Sequence, residues 1–332
     1  IAAALFREAG IPKRLIPATI ALSSFTFTMA ALPGTAQIQN AIPMPFYGTD
    51  TYAGPILGIV AAIIMFSFGM WWITSRAKKA MAKGEGYGEH KETFADFDES
   101  TLPSFGFALI PILIVLIMNF CLTNFYFKHM DAKWLSGAPY NTTLSKVAGT
   151  WSLILSLIVA IITVIIINRK RFAGIVKSVN SGAIGSLLAV INTSSEVGYG
   201  NVVATLAGFV IIKTAILGIS SNPLISSAIS VNLLAGMTGS ASGGMSIALG
   251  ALGKTYLDMA HTMGIDPGAL HRITVLACSG LDALPHNGAV ITLLGITGLT
   301  HKQSYKDIFM VCSVGTLFAV IAAVSLALLG VV

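Results

Sequence analysis

Charge is scarce in this sequence: Asp, Glu, Lys and Arg make up only 10% of 332 residues, against about 25% in ordinary soluble domains. A water-soluble globular domain is thereby excluded. Cysteine is nearly absent as well, and Cys121, Cys278 and Cys312 fall in apolar runs with neither paired nor metal-ligand spacing, so they read as small core residues. No disulfide is expected. The chain lacks a Walker A sequence, which leaves ATP-driven transport unsupported, and it lacks the G-x-S-x-G elbow of a hydrolase. It also begins with Ile, without a basic n-region or cleavage site, so the sequence is expected to be an excerpt from a longer chain.

What is abundant is apolar surface. Hydrophobic residues make up 55% of the chain and mean hydropathy is +0.80, which points to an all-α polytopic membrane protein. The net charge of +6 comes from basic residues in short loops between apolar runs. That is the positive-inside pattern rather than a nucleic-acid footprint.

Two uncharged runs are too long for one straight crossing. Thr214 to Gly253 has 40 such residues, about 60 Å as a helix against an apolar bilayer core of about 30 Å. The Gly- and Ser-rich Gly236 to Gly244 in its middle propagates a helix poorly. A re-entrant helical hairpin with a polar tip is therefore expected at about 220–252, the plainer alternative being a small-residue packing surface. The second run, Leu15 to Thr49, has 35 uncharged residues, and Pro33-Gly34 supplies its break.

Between and after these runs the pattern gives a transmembrane helix over 51–75, a cytoplasmic loop over 76–103 and scaffold-type spans over 104–172. The second repeat then occupies 173–332. Within it, Asn192 to Asn201 is expected to interrupt two moderately apolar segments, and Lys254 to Arg272 to form an external loop. A broken helix follows at about 268–299, and then a last span. Ala283-Leu284-Pro285 echoes Ala31-Leu32-Pro33, and the loop charges send the two helices in opposite directions. Inverted repeats with broken helices at matching positions are the pattern of a secondary transporter with a midplane site.

Three stretches, ALPGTAQIQNAIP (31–43), MTGSASGGM (237–245) and CSGLDALPHNGAVITLL (278–294), resemble the gluconate permease (GntP) family of the ion transporter superfamily. The resemblance runs through essentially the whole chain. It implies a scaffold domain and a mobile transport domain, often as a homodimer, carrying an organic anion by elevator-like alternating access with proton symport. The family's first hairpin is missing before Pro33, which agrees with an N-terminal truncation.

The expected substrate-binding residues are Pro33, Gly34, Thr35, Gln37, Asn40, Thr238, Gly239, Ser240, Ala241, Ser242, Pro285 and Asn287, with Thr292 a further hydroxyl. Half-helix N-termini attract anions, and neutral side chains can meet substrate hydroxyls. Among them stands no Arg or Lys, which favours a hydroxylated monocarboxylate such as a sugar acid over a citrate-like polyanion. Asp282, His286 and Glu196 are the coupling-ion candidates and Lys213 is a fourth ionisable group at apparent membrane depth. The bland readings are a helix-capping Asp282, a neutral His286, an interfacial Glu196 and a snorkelling Lys213.

Proton coupling is favoured because Asp282 and His286 flank one break, while a hairpin tip rich in carbonyls and hydroxyls would also suit sodium. The alternative is thus a Na⁺-coupled symporter of 3-hydroxybutyrate, citrate or another organic anion. A membrane-embedded enzyme using Ser279, His286 and Asp282 is the competing class and is disfavoured, and no cofactor is expected. The expected location is the inner (cell) membrane, with several passes through the lipid bilayer.

Overall fold

The structure is a computed structural model that describes residues 2–90, 103–169, 174–208, 211, 214–215 and 219–332. Every regular element among the described residues is helical. Four helical stretches, Pro55–Met81, Phe105–His129, Val147–Asn168 and His301–Leu328, are long and apolar enough to cross a membrane.

The first run opens with α1 (Ala2–Glu8) and α2 (Ile16–Leu22), the latter continuing through wide π-type turns over Ser23–Ala31. Helical structure stops at Leu32, and resumes as α3 (Ile38–Ala41) and α4 (Met44–Tyr47). Pro33 and Gly34 therefore sit in a true break, as their sequence requires. Gly34 holds φ +78, and a Cβ there would stand 2.6 Å from the Tyr52 ring, so no other residue fits this turn.

Helix α5 (Pro55–Met81) shows how the sequence distinguishes lipid from protein. Ile56, Ile59, Ile63, Phe66 and Met70 form an exposed apolar stripe, while Leu57, Gly58, Ala61, Met65 and Gly69 face inward. The small inward residues admit a close neighbour: α2 packs at Gly69 through Leu22, and the π-type turns after it pack at Gly58 through the Ala31 carbonyl. The helix runs past Ser75 to Met81, so residues 76–81 are helical and not loop, because Ala, Lys, Arg and Met are strong helix formers.

Helices α6 (Phe105–Cys121) and α7 (Leu144–Asn168) pack on each other, and α8 spans Ile175–Ala204. α6 is inside-out, with exposed Phe107, Ile117 and Phe120 and a buried Asn119. Cys121 also lies on its exposed side, contrary to the core role expected of it, whereas Cys278 and Cys312 are buried. The expected interruption over Asn192 to Asn201 is a further correction: α8 runs through it without a break.

After α8 come α9 (Pro223–Thr238) and α10 (Ala241–Thr262), joined only by Gly239 and Ser240. A Cβ on Gly244 would run into the Ala235 backbone, so the two arms touch main chain to main chain. Buried Tyr256 bolts them together, donating to Ser230 Oγ at 2.8 Å. α11 (Pro267–Cys278) and α12 (Gly288–Thr297) form the second broken helix, with residues 279–287 as its break. The chain ends in α13 (His301–Phe309), which passes through π-type turns into α14 (Gly315–Leu328).

The external loop expected over Lys254 to Arg272 does not exist in that form. α10 continues to Thr262, a short connector follows, and α11 begins at Pro267 with Asp266 as its cap, accepting from Gly268 N at 2.5 Å. His271 and Arg272 consequently lie inside the bundle with no solvent exposure. The main core joins α5, both hairpin arms, α11 and α14, through Met65, Val231, Met245, Leu252, Ile273 and Ala319 among others.

Candidate functional site

The hairpin tip and the second break come together. His286 Nε2 donates to Gly236 O at 3.0 Å, and Asn287 Nδ2 donates to Gly239 O at 2.7 Å. Gly239 holds φ +64, and a Cβ there would stand 2.8 Å from His286 Cδ2. Both halves of the contact are thus set by glycine at the tip and polar side chains at the break.

Four of the backbone groups freed here have side-chain partners, as a helix broken in an apolar setting requires. Ser240 caps α10, accepting from Gly243 N at 3.1 Å, and Asn287 caps α12, accepting from Val290 N at 2.9 Å. Tyr305 donates to Ala283 O at 3.1 Å and His301 Nε2 to Pro285 O at 2.9 Å. Around this frame, Thr238, Pro285, His286 and Thr292 are exposed, Ser240 and Ser242 are half-buried, and Gly239, Ala241 and Asn287 are buried. Thr238 and Thr292 turn their hydroxyls back to Leu234 O and Gly288 O, each at 2.8 Å.

Asp282 is the exception in this well-satisfied loop. Its side chain is 5% exposed, and Oδ1 is buried without a hydrogen-bond donor. The capping role that would have made it ordinary belongs to Asn287 instead. A buried carboxylate oxygen without a donor is costly, and it is relieved by a proton or a cation.

The first break is built differently. Asn40 is fully buried, and its Nδ2 donates to Thr35 O at 3.0 Å and Thr51 O at 2.9 Å. Its Oδ1 accepts from Arg272 Nη1 at 3.2 Å and His271 Nε2 at 3.3 Å. Because Asn40 Oδ1 accepts, His271 carries its proton on Nε2, and Nδ1 accepts from the Thr49 hydroxyl at 2.6 Å. Arg272 also donates to Ala30 O, Ala53 O and Thr51 O.

Asn40 is therefore a brace whose hydrogen bonds are all spent within the protein, while Pro33 and Thr35 are half-buried and Gln37 is exposed. No Arg or Lys is among the expected binding residues, but Arg272 donates to carbonyls around the first break. It stayed hidden because a cation shortly after Asp266-Pro267-Gly268 reads as loop.

Of the remaining ionisable candidates, Glu196 belongs to α8, and its side chain lies outside the described residues, as does Lys213. The enzyme-like trio is not hydrogen-bonded as a triad: Ser279 Oγ donates to Leu276 O at 2.9 Å and His286 to Gly236 O. Among the described residues there is no cluster of three His, Cys, Asp or Glu that could hold a metal ion.

Long apolar helices, a hairpin with a polar tip and two helix breaks braced by polar side chains define a membrane transporter. The chain is 44% identical over 345 aligned positions to the uncharacterized transporter YxjC of Bacillus subtilis (strain 168), covering 97% of this chain and 72% of that protein. It belongs to the same transporter family as YxjC, and it is not an enzyme. No family profile matches the chain, and no solved structure matches it.

Proposed function

We propose that the protein is a secondary active transporter that takes up a sugar acid or hydroxy monocarboxylate of the gluconate type, driven by protons. The reading includes alternating access, several passes through the inner membrane and a homodimer, as the gluconate permease resemblance implies. Substrate binds where the hairpin tip meets the second break, against Ser240, Ser242 and the residues flanking Pro285. The observation that carries the proposal is Asp282, a buried carboxylate with an undonated Oδ1 in a break bridged to that tip. A group so placed takes up a proton when the site is closed and releases it when water enters.

The test is uptake by the full-length protein in liposomes, with radiolabelled gluconate, glycerate and 3-hydroxybutyrate under a pH or Na⁺ gradient. Accumulation is expected to follow the pH gradient. Asp282→Asn abolishes gradient-driven accumulation yet retains exchange between equally loaded sides, since exchange needs no net proton movement. Full accumulation by this variant, or a strict Na⁺ requirement of the unmodified protein at fixed pH, removes Asp282 from the role and favours the sodium alternative.

A further inference from the structure

We propose that five lysines around the end of α5 and on α13 form a docking surface for the headgroup of an anionic phospholipid. One buried carboxylate gathers them. Asp307 accepts from Arg76 Nε at 2.9 Å and from Arg14 Nη1 at 3.2 Å, and Arg14 Nε in turn donates to Glu85 Oε1 at 2.6 Å. The chain from Arg76 to Glu85 is thereby pinned at both ends to one hub. Lys78, Lys79 and Lys83 lie between the two pins, while Lys302 and Lys306 stand on α13 with Asp307.

All five lysines are exposed. Within the hub, the carboxylates of Asp307 and Glu85 are matched by the guanidiniums of Arg14 and Arg76. None of the five lysines takes part in an ion pair among the described residues. Like charges held on one rim repel each other, and an anion brought from outside relieves them.

The neighbouring surface says which anion. The exposed apolar stripe of α5, with Ile59, Ile63, Phe66 and Met70, continues at helical spacing through exposed Thr74 to Lys78. Trp71, 60% exposed, stands where apolar surface gives way to charge, the place that Trp takes at a bilayer interface. Lys78 follows about 10 Å along the helix, where its long side chain reaches the headgroup layer. A soluble anion would meet the same charges, but only a phospholipid also covers the apolar stripe below them. The inference rests on the membrane character of the chain alone and stands whichever substrate is carried.

Purified full-length protein in mild detergent is titrated with dioctanoyl phosphatidylglycerol and, separately, with zwitterionic dioctanoyl phosphatidylcholine, and bound lipid is counted by native mass spectrometry. Wild type is expected to bind the anionic lipid at least about tenfold tighter, with a preference that falls as salt rises. Combining Lys78→Gln, Lys79→Gln, Lys83→Gln, Lys302→Gln and Lys306→Gln abolishes the preference. Should that variant not fold, the triple change at 78, 79 and 83 and the double change at 302 and 306 each lower it. A control combining Lys128→Gln, Lys133→Gln and Lys254→Gln, on exposed lysines elsewhere, keeps it. Equal binding of the two lipids by wild type, the outcome if the chain's own acidic residues neutralise the rim, overturns the inference. A preference that survives in the rim variants or is lost in the control overturns it too. Displacement of the lipid by an equal concentration of glycerol 3-phosphate would assign the lysines to a soluble anion instead.

Discussion

Asp307 ties three segments together, and its removal makes a quantitative test of how they are held. The side chain is 2% exposed and accepts from Arg14 Nη1 at 3.2 Å, Arg76 Nε at 2.9 Å and Trp72 Nε1 at 3.0 Å. It thereby joins the approach to α2, the end of α5 and α13. Breaking a buried pair from one side costs about 3–5 kcal/mol because the partner charge is left unpaired. Two features soften that here. Arg14 retains Glu85 through contacts of 2.6 and 3.0 Å, and Arg76 is 31% exposed and reaches water.

For Asp307→Ala the low end applies, about 3 kcal/mol. For Glu85→Gln the expected loss is below about 1 kcal/mol, because Glu85 is 43% exposed and water screens its pair. Equilibrium unfolding in mild detergent, with Asp307→Ala, Glu85→Gln and wild type side by side, reads both values. A difference between the two variants of less than about 0.5 kcal/mol, within the usual effect of a surface substitution, would refute the buried-hub reasoning.

Acid tests the Glu85 pair by itself. The Arg14 guanidinium, by hydrogen bond and charge, holds the Glu85 carboxyl below its ordinary value. Its contribution is complete above the unfolded-state pKa of about 4.3 and is lost as pH falls through the lowered folded value. The stability gap between wild type and Glu85→Gln should therefore be constant above about pH 4.3 and close as pH falls further, measured by unfolding midpoints. Gly239→Ala forces a Cβ against His286 at φ +64; a loss of about 1–2 kcal/mol is expected from the backbone strain, with uptake falling further than stability as the tip parts from the break. Equal uptake by wild type and this variant would show that the junction of tip and break is dispensable.

Much of this arrangement was legible in the sequence. Uncharged runs longer than a bilayer must bend, and Pro33, Pro285 and Gly239-Ser240 mark where they do. The resemblance of the two Ala-Leu-Pro stretches located both breaks. Hidden from view was everything set by distant contacts. Arg272 sits six residues after Asp266, a natural loop and cap signal, and its burial depends on carbonyls of Ala30, Thr51 and Ala53 more than 200 positions away in the chain. Asn40 looked like a ligand group and proves to be a brace, since a sequence does not say where an amide spends its hydrogen bonds. The polar stretch from Asn192 to Asn201 suggested an interruption, yet it contains no proline and α8 continues through it.

Central to the account is that the hairpin tip, joined to the second break, is the place where substrate meets water. Ser242, half-buried just beyond the tip, is replaced by Cys in a background lacking Cys121, Cys278 and Cys312, and the reconstituted protein is treated with a membrane-impermeant thiol reagent. Labelling is expected, and it slows when the transported acid identified in the liposome screen is present. Protection from both sides under every condition, or labelling indifferent to that acid, would contradict that claim.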